Sequence, residues 1–226
     1  MKYAVLDWDN TVRNGYTIFG FVEFLIKESV LSISVKQNID EWDRKYRAGT
    51  ITHDQYAEYA CRDFANSLLG YSVSCIDELA QKYIDCDRFH LFPFAKTIFD
   101  FLHKHEIAPI IISGAPLCVL DKYKKELHIH DIFAFDLDTC RGEYTGLVGS
   151  NYGYNKEKII AELVVKYGAL PFMGFGDSSS DEPLILTARH GFLISNKLSD
   201  NLFPQATFIS RTASEADVEA ILQSFL

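Results

Sequence analysis

Two aspartates, two residues apart, close the first apolar run of the chain in Leu6-Asp7-Trp8-Asp9-Asn10-Thr11. Carboxylates held close together repel each other, and each is costly to remove from water. Folding alone gives no reason to place them there; chemistry does. On an extended segment alternate residues face one side, so Asp7 and Asp9 can serve a single site. Two acids in one pocket can divide the work, one as nucleophile and the other as proton donor and acceptor. A divalent cation would offset their repulsion, and an all-oxygen site suits Mg2+. The competing reading of the motif alone is a solvated turn.

Three further stretches have the same character. In "IIISGAP", Ile110 to Pro116, an apolar run ends at Ser113 and Gly114. These two read either as a helix-capping turn or as a cradle in which free backbone N–H groups, a hydroxyl and a permissive glycine hold an anion. Pro116 suits the first turn of a following helix. Lys156 opens "NKEKIIAEL", where a cation opposes the helix dipole. A phosphate or carboxylate facing its ammonium would explain it; Lys158, on another face, is the rival, and a solvated surface position is the plain alternative. In "GFGDSSSDEP" a strand ends at Gly176, and Asp177 and Asp181 follow. Asp177 is placed to ligate a cation, and Asp181 to hold a water ligand or Lys156. The competing reading is an Asp N-cap. Each alternative stands for one stretch alone, but four together, all at strand ends, outweigh them.

The elements that must position these residues follow from apolar spacing. "YAVLDW" reads as a short buried strand. From about Thr17 to Arg88, four stretches fit helical spacing, with Thr52 and Ser74 as expected N-caps and Gly49 and Gly70 as expected stops. After Pro93 strands and helices alternate: "PFAKTIFDFLHKH", "APIIIS", Pro116 to Glu126, "IFAFDLD", a hairpin arm at "GEYTGLVG", "NKEKIIAELVVKYG", "PFMGFG", "SDEPLILTA", "GFLIS", then a last strand and helix. Alternation of this kind predicts an α/β fold with a doubly wound, Rossmann-like parallel sheet. The expected division is an α/β core of residues 1–15 and 90–226 interrupted by a helical cap at 16–89. Ligands of open parallel sheets bind at the carboxyl ends of strands, which is where Asp7 and Asp9 fall.

The order DxDxT, hydrophobic-Ser-Gly, Lys, GDxxxD resembles the four motifs of the haloacid dehalogenase superfamily, specifically its phosphatases. The helical insert resembles that family's type 1 cap, and "DTCRGEYTGLVG" resembles a segment of the phosphoserine phosphatase-like branch. The resemblance implies that Asp7 attacks phosphorus and forms an aspartyl-phosphate, while Asp9 protonates the leaving alcohol and then activates water. It implies that Thr11, Ser113 and Gly114 bind phosphate oxygens or order the loop, and that Lys156 neutralises charge. It implies Mg2+ held by Asp7, the Asp9 carbonyl and Asp177, with Asp181 in support. Dehalogenase members lack an Asp two after the nucleophile, so Asp9 points to phosphate esters. Phosphoserine phosphatases carry a Glu shortly after the first motif, yet "VRNGYT" offers Arg13 and Tyr16, with no acid before Glu23. That makes phosphoserine a poorer substrate and leaves Arg13 either to meet an anionic group or to lie at the surface. Arg44, Arg47, Glu23, Tyr46 and Tyr56, in the insert, are expected within reach of the mouth of the site, with no role assigned to any of them.

The expected activity is Mg2+-dependent hydrolysis of a small phosphomonoester metabolite under a cap hinged near 12–17 and 88–92. A phosphotransferase or mutase, and a non-catalytic phospholigand-binding protein, are the alternatives. The chain carries 22 Lys and Arg against 31 Asp and Glu, a net charge of -9. That balance and the lack of a basic cluster argue against a nucleic acid partner. No stretch approaches the ~20 apolar residues of a membrane span. Five cysteines without a CxxC pair read as free thiols of a reducing, cytoplasmic compartment.

Overall fold

The computed structural model describes residues 1–197 and 203–226. The chain begins with β1 (Tyr3–Leu6), then builds four helices: α1 (Thr17–Lys27), α2 (Ile33–Arg47), α3 (His53–Ser67) and α4 (Val73–Asp87). A 3-10 turn at Arg88–His90 leads to α5 (Ala95–Lys104), β2 (Ala108–Pro116), α6 (Leu117–Glu126), β3 (Asp131–Cys140) and β4 (Glu143–Ser150). There follow α7 (Lys156–Tyr167), β5 (Met173–Gly176), a 3-10 turn at Ser179–Asp181, α8 (Glu182–Thr187), β6 (His190–Ser195), β7 (Thr207–Ser210) and α9 (Glu215–Gln223).

The sheet order is β4-β3-β2-β1-β5-β6-β7, and every pair is parallel except β3 with β4. The expected α/β, doubly wound sheet is thus the one the chain forms. Successive strands from β1 build outward on one side to β3. β5 then returns to the other flank of β1, so the direction of winding reverses there. At such a reversal the loops part and leave a crevice at the carboxyl ends. β1 is apolar throughout because both its faces are covered: Ala4 and Leu6 enter the larger apolar cluster, Tyr3 and Val5 the smaller one beneath α7.

Helices α1–α4 share the larger cluster with the sheet, as Phe64 packs on Phe135 with ring centroids 6.2 Å apart. The insert is also tied to the β3–β4 hairpin: Gly70 N–H donates to Tyr144 O (2.9 Å), Tyr144 N–H to Tyr71 O (2.9 Å) and Val73 N–H to Gly142 O (2.9 Å). The hairpin turns on Arg141 and Gly142, both at positive φ, the conformation whose twist suits a two-residue connection. Thr52 caps α3 in a reciprocal capping box with Gln55. Ser74 does not cap α4: Ser72 holds that place, and Ser74 sits inside the first turn with its hydroxyl 2.7 Å from that of Ser72. Gly49 and Gly70 stop their helices in the left-handed conformation expected. All five cysteines are free. No helix among the described residues is long and apolar enough to cross a membrane.

Candidate active site

Asp7 leaves β1 with its amide still paired to Phe175 O of β5 (3.0 Å). The chain then turns sharply: the amides of Thr11, Val12 and Arg13 all converge on Trp8 O, and Asn10 takes the left-handed conformation that Asn tolerates well. Trp8, between the two acids, points away from them into the core. Its ring packs on Tyr123 (4.9 Å between centroids), and its indole N–H donates to Thr17 Oγ1 (3.1 Å). Thr17, first residue of α1, in turn fixes Asp9: its hydroxyl donates to Asp9 Oδ1 at 2.5 Å and its amide to the same oxygen at 2.9 Å.

Lys156, at the start of α7, is buried and bridges two carboxylates. Its ammonium donates to Asp7 Oδ1 (2.7 Å) and Asp181 Oδ1 (2.5 Å). Lys158 is exposed, 4.0 Å from Glu162, and takes no part. Asp181 Oδ2 accepts from the amides of Asp177 and Ser178 (3.0 Å each) and from Ser178 Oγ (3.1 Å). With both oxygens engaged, Asp181 is a support. Ser178 caps the 3-10 turn, and Asp181 stands at the N-cap position of α8 but makes no side-chain cap hydrogen bond there, its oxygens being turned to Lys156, the Asp177 and Ser178 amides and the Ser178 hydroxyl. Gly176 permits the turn, since a Cβ there would lie 2.2 Å from Asp181 Cβ.

Ser113 and Gly114 lie in an irregular stretch of β2, where the register against β3 shifts between Ile112 and Pro116. The strand therefore runs three residues past its expected end, and α6 starts at Leu117, one residue later than expected. Ser113 does not cap α6; its Oγ accepts from the Ala115 amide (3.1 Å). Gly114 is overlaid by Gly153, where an added Cβ would sit 2.7 Å from Gly114 Cα.

These elements surround a cavity of about 540 Å³ lined by Asp7, Asp9, Ser113, Gly114, Lys156 and Asp177. Thr11 and Asp181 stand behind that wall, fully buried, with Thr11 Oγ1 donating to Asp7 Oδ2 (3.3 Å). Arg13 is neither at the surface nor in the cavity. It is buried in an ion pair with Asp87 (2.6 Å), whose carboxylate also accepts from Tyr83 and Tyr123. Arg44 and Arg47 are exposed and pair with Glu41 and Asp43 of their own helix. Among the residues that carried no signal in the sequence are Thr17, Asn151, whose Oδ1 accepts from the Gly153 amide (2.9 Å), Gly153 itself and Arg211. Arg211 donates to Asp177 Oδ2 (2.8 Å) and to Asn10 O (3.1 Å).

Charge in the site is only partly balanced. Burial raises the Asp7 carboxyl, the Lys156 ammonium pulls it down, and Asp181 and Asp9 push it up again; the net direction is up. Burial raises Asp9 to about 6 against the two bonds from Thr17, near the range useful for giving and taking a proton. Asp177 is raised by burial and by Asp7 and Asp181, against Arg211. Burial works against the ionised Asp181, but Lys156 and the two amides hold it below the usual carboxylate range. Burial likewise opposes the Lys156 charge, and Asp181 and Asp7 outweigh it. Asp7, Asp177 and Asp181 bring carboxylate oxygens within 4.8 Å of one another. An oxygen-only, surplus-negative donor set of this kind fits a hard divalent cation such as Mg2+.

The sequence matches the haloacid dehalogenase-like hydrolases over residues 1–188. The chain belongs to that family, and it is a hydrolase of the class that its strand-end acids and lysine had suggested. The fold is similar to a probable phosphoserine phosphatase from Vibrio cholerae, with TM-score 0.71 and 19% identity. That match covers 100% of this chain and 65% of the other, so the chain spans about two thirds of the Vibrio protein. A protein of unknown function from Bordetella pertussis Tohama I is similar at TM-score 0.75 and 16% identity, covering 93% and 98% of the two chains. Cytosolic 5'-nucleotidase IIIB bound to cytidine is similar at TM-score 0.67 and 18% identity, covering 99% and 84%. No curated protein matches the sequence.

Proposed function

We propose that the protein is a Mg2+-dependent phosphatase that hydrolyses a small phosphomonoester metabolite through an aspartyl-phosphate on Asp7. The observation that carries this is the Lys156 ammonium held between Asp7 and Asp181, with Asp9 and Asp177 on the same cavity. Its place in the family and the phosphatase names of similar folds support the reading.

In the first step an Asp7 carboxylate oxygen bonds to phosphorus while the ester P–O bond breaks. Asp9 gives its proton to the departing alcohol oxygen. In the second step Asp9 takes a proton from water, the water oxygen bonds to phosphorus, and the Asp7–phosphorus bond breaks. Thr17 fixes the Asp9 oxygen that accepts its two hydrogen bonds and leaves the other for this proton traffic. Lys156 offsets the negative charge gathered around Asp7, and Ser113 with the Gly114 backbone stands where phosphoryl oxygens enter. Mg2+ would be held by Asp7 and Asp177, with Asp181 in support, and would supply charge neutralisation for the transferring group. The test is phosphate release from p-nitrophenyl phosphate and a panel of phosphorylated metabolites. Turnover with Mg2+ that stops in EDTA is the expected result; a folded protein inert toward the whole panel would contradict the reading.

A further inference from the structure

Resting on the phosphatase reading, we propose that the alcohol released by this enzyme carries a planar aromatic or heteroaromatic ring and no second anionic group. A cavity of about 540 Å³ falls in the ~300–1,000 Å³ range of small-molecule sites. The phosphoryl group belongs at its strand-end floor, so most of that space is left for the leaving group.

Two observations describe what that space accepts. The first is its wall. Tyr16, Phe19, Tyr46, His53 and Tyr56, from the cap side, line it as a connected aromatic surface. Tyr46 and Tyr56 are stacked at 5.5 Å and 8°; Phe19 lies 6.5 Å from Tyr56, and Tyr16 meets Phe19 edge-on at 5.6 Å. If this were only cap packing, the rings would be covered. Tyr56 is, at 7% exposed, but Tyr16 and Tyr46 keep 48% and 39% of their surface open. Tyr56 holds Tyr46 in place, and the exposed rings offer a preformed stacking surface at small ordering cost.

The second observation is charge. Besides the acids of the floor, the wall carries Asp54. Lys156 is the one Lys or Arg among the described lining residues, and two carboxylates already claim it. The nearby arginines are paired with carboxylates: Arg13 with Asp87, Arg44 with Glu41, Arg47 with Asp43, and Arg211 with Asp177 of the floor. Among the described lining residues a carboxylate or second phosphate on the leaving group would find no Lys or Arg beyond Lys156, and Asp54 adds negative charge to the wall. A neutral or cationic ring meets electron-rich faces instead.

The experiment compares kcat/KM, with Mg2+, for two sets of esters that all release an alkyl alcohol: benzyl against glycerol phosphate varies the ring, and 3-phosphoglycerate against glycerol phosphate varies the second anionic group. One set is benzyl phosphate, pyridoxine 5'-phosphate and the nucleoside 5'-monophosphates; the other is glycerol phosphate, phosphoserine and 3-phosphoglycerate. Stacking of one ring predicts a preference of roughly tenfold or more for the first set. In Tyr46→Leu, and separately in Tyr16→Leu, the ratio between the sets falls toward one through KM, with circular dichroism showing the fold kept. Equal kcat/KM for both sets, with turnover that still requires Asp7, overturns the ring inference and leaves the phosphatase reading standing. No turnover of any ester by the folded wild type overturns the phosphatase reading, and this inference with it.

Discussion

At the scale of single residues, the aim of Asp9 is set by groups that perform no chemistry. Trp8 N–H holds the Thr17 hydroxyl, and that hydroxyl and the Thr17 amide hold Asp9 Oδ1. Thr17→Val keeps the amide bond, removes the shorter hydroxyl bond and leaves the indole N–H without its acceptor. General acid–base work contributes typically 10²–10⁴-fold, so misaiming Asp9 should lower kcat about 10- to 100-fold. KM should change little, because Thr17 does not line the cavity. Steady-state kinetics of Thr17→Val check this, and Thr17→Ser, which restores the hydroxyl, should recover most of the rate. The two acids stood out in the sequence because burying paired carboxylates needs a reason. Thr17 did not: a threonine at the start of a helix is ordinary, and only the turn at Asn10 brings it back onto Asp9.

At the scale of elements, one tie between helices α1–α4 and the segment that follows β1 is a buried ion pair. Arg13 lies just after the first motif and Asp87 ends α4, and both are buried with Tyr83 and Tyr123. Removing one partner strands a buried charge, so Arg13→Met or Asp87→Leu alone should cost ~3–5 kcal/mol. The double variant should cost much less than the sum, since no charge is then left unpaired, and urea unfolding of the four proteins measures it. A second contact of elements is the approach of Gly153 to Gly114. Gly153→Ala places a Cβ 2.7 Å from Gly114 Cα, which should push the Ser113 loop out of position and lower kcat/KM more than stability. The order of strands and helices was legible because apolar runs alternate with turn residues, and strand ends located the motifs. Arg13 was misjudged because its partner lies 74 residues away, and no local pattern announces such a pair. The misplaced end of β2 has a local cause: the strand carries irregular backbone where Ser113 and Gly114 face the site, so propensity marked its end three residues early and the helix start one residue early.

At the scale of the whole molecule, the site is a place where stability is given up. Three carboxylates within 4.8 Å, with Asp9 beside them, face Lys156 and Arg211 as the cations among the described residues. Asp7→Asn relieves that repulsion while Lys156 keeps Asp181, so it should melt above wild type in EDTA. Mg2+ should raise the wild-type Tm: at about 100 times Kd, binding adds about 2.7 kcal/mol, or ~5–10 °C for a domain of this size. Thermal melts with and without Mg2+ check both, and the metal-induced rise should shrink in Asp7→Asn. The central claim is that the phosphoryl group passes through Asp7, and acid-quenched mass spectrometry tests it most directly. The enzyme is mixed with Mg2+ and p-nitrophenyl phosphate, whose phenolate leaves without needing a proton, so that Asp9→Asn slows mainly the second step. The expected result is one added phosphoryl group on the peptide bearing Asp7, accumulating in Asp9→Asn and absent from Asp7→Asn together with turnover. A phosphoryl group on another residue, or full turnover by Asp7→Asn, would contradict it.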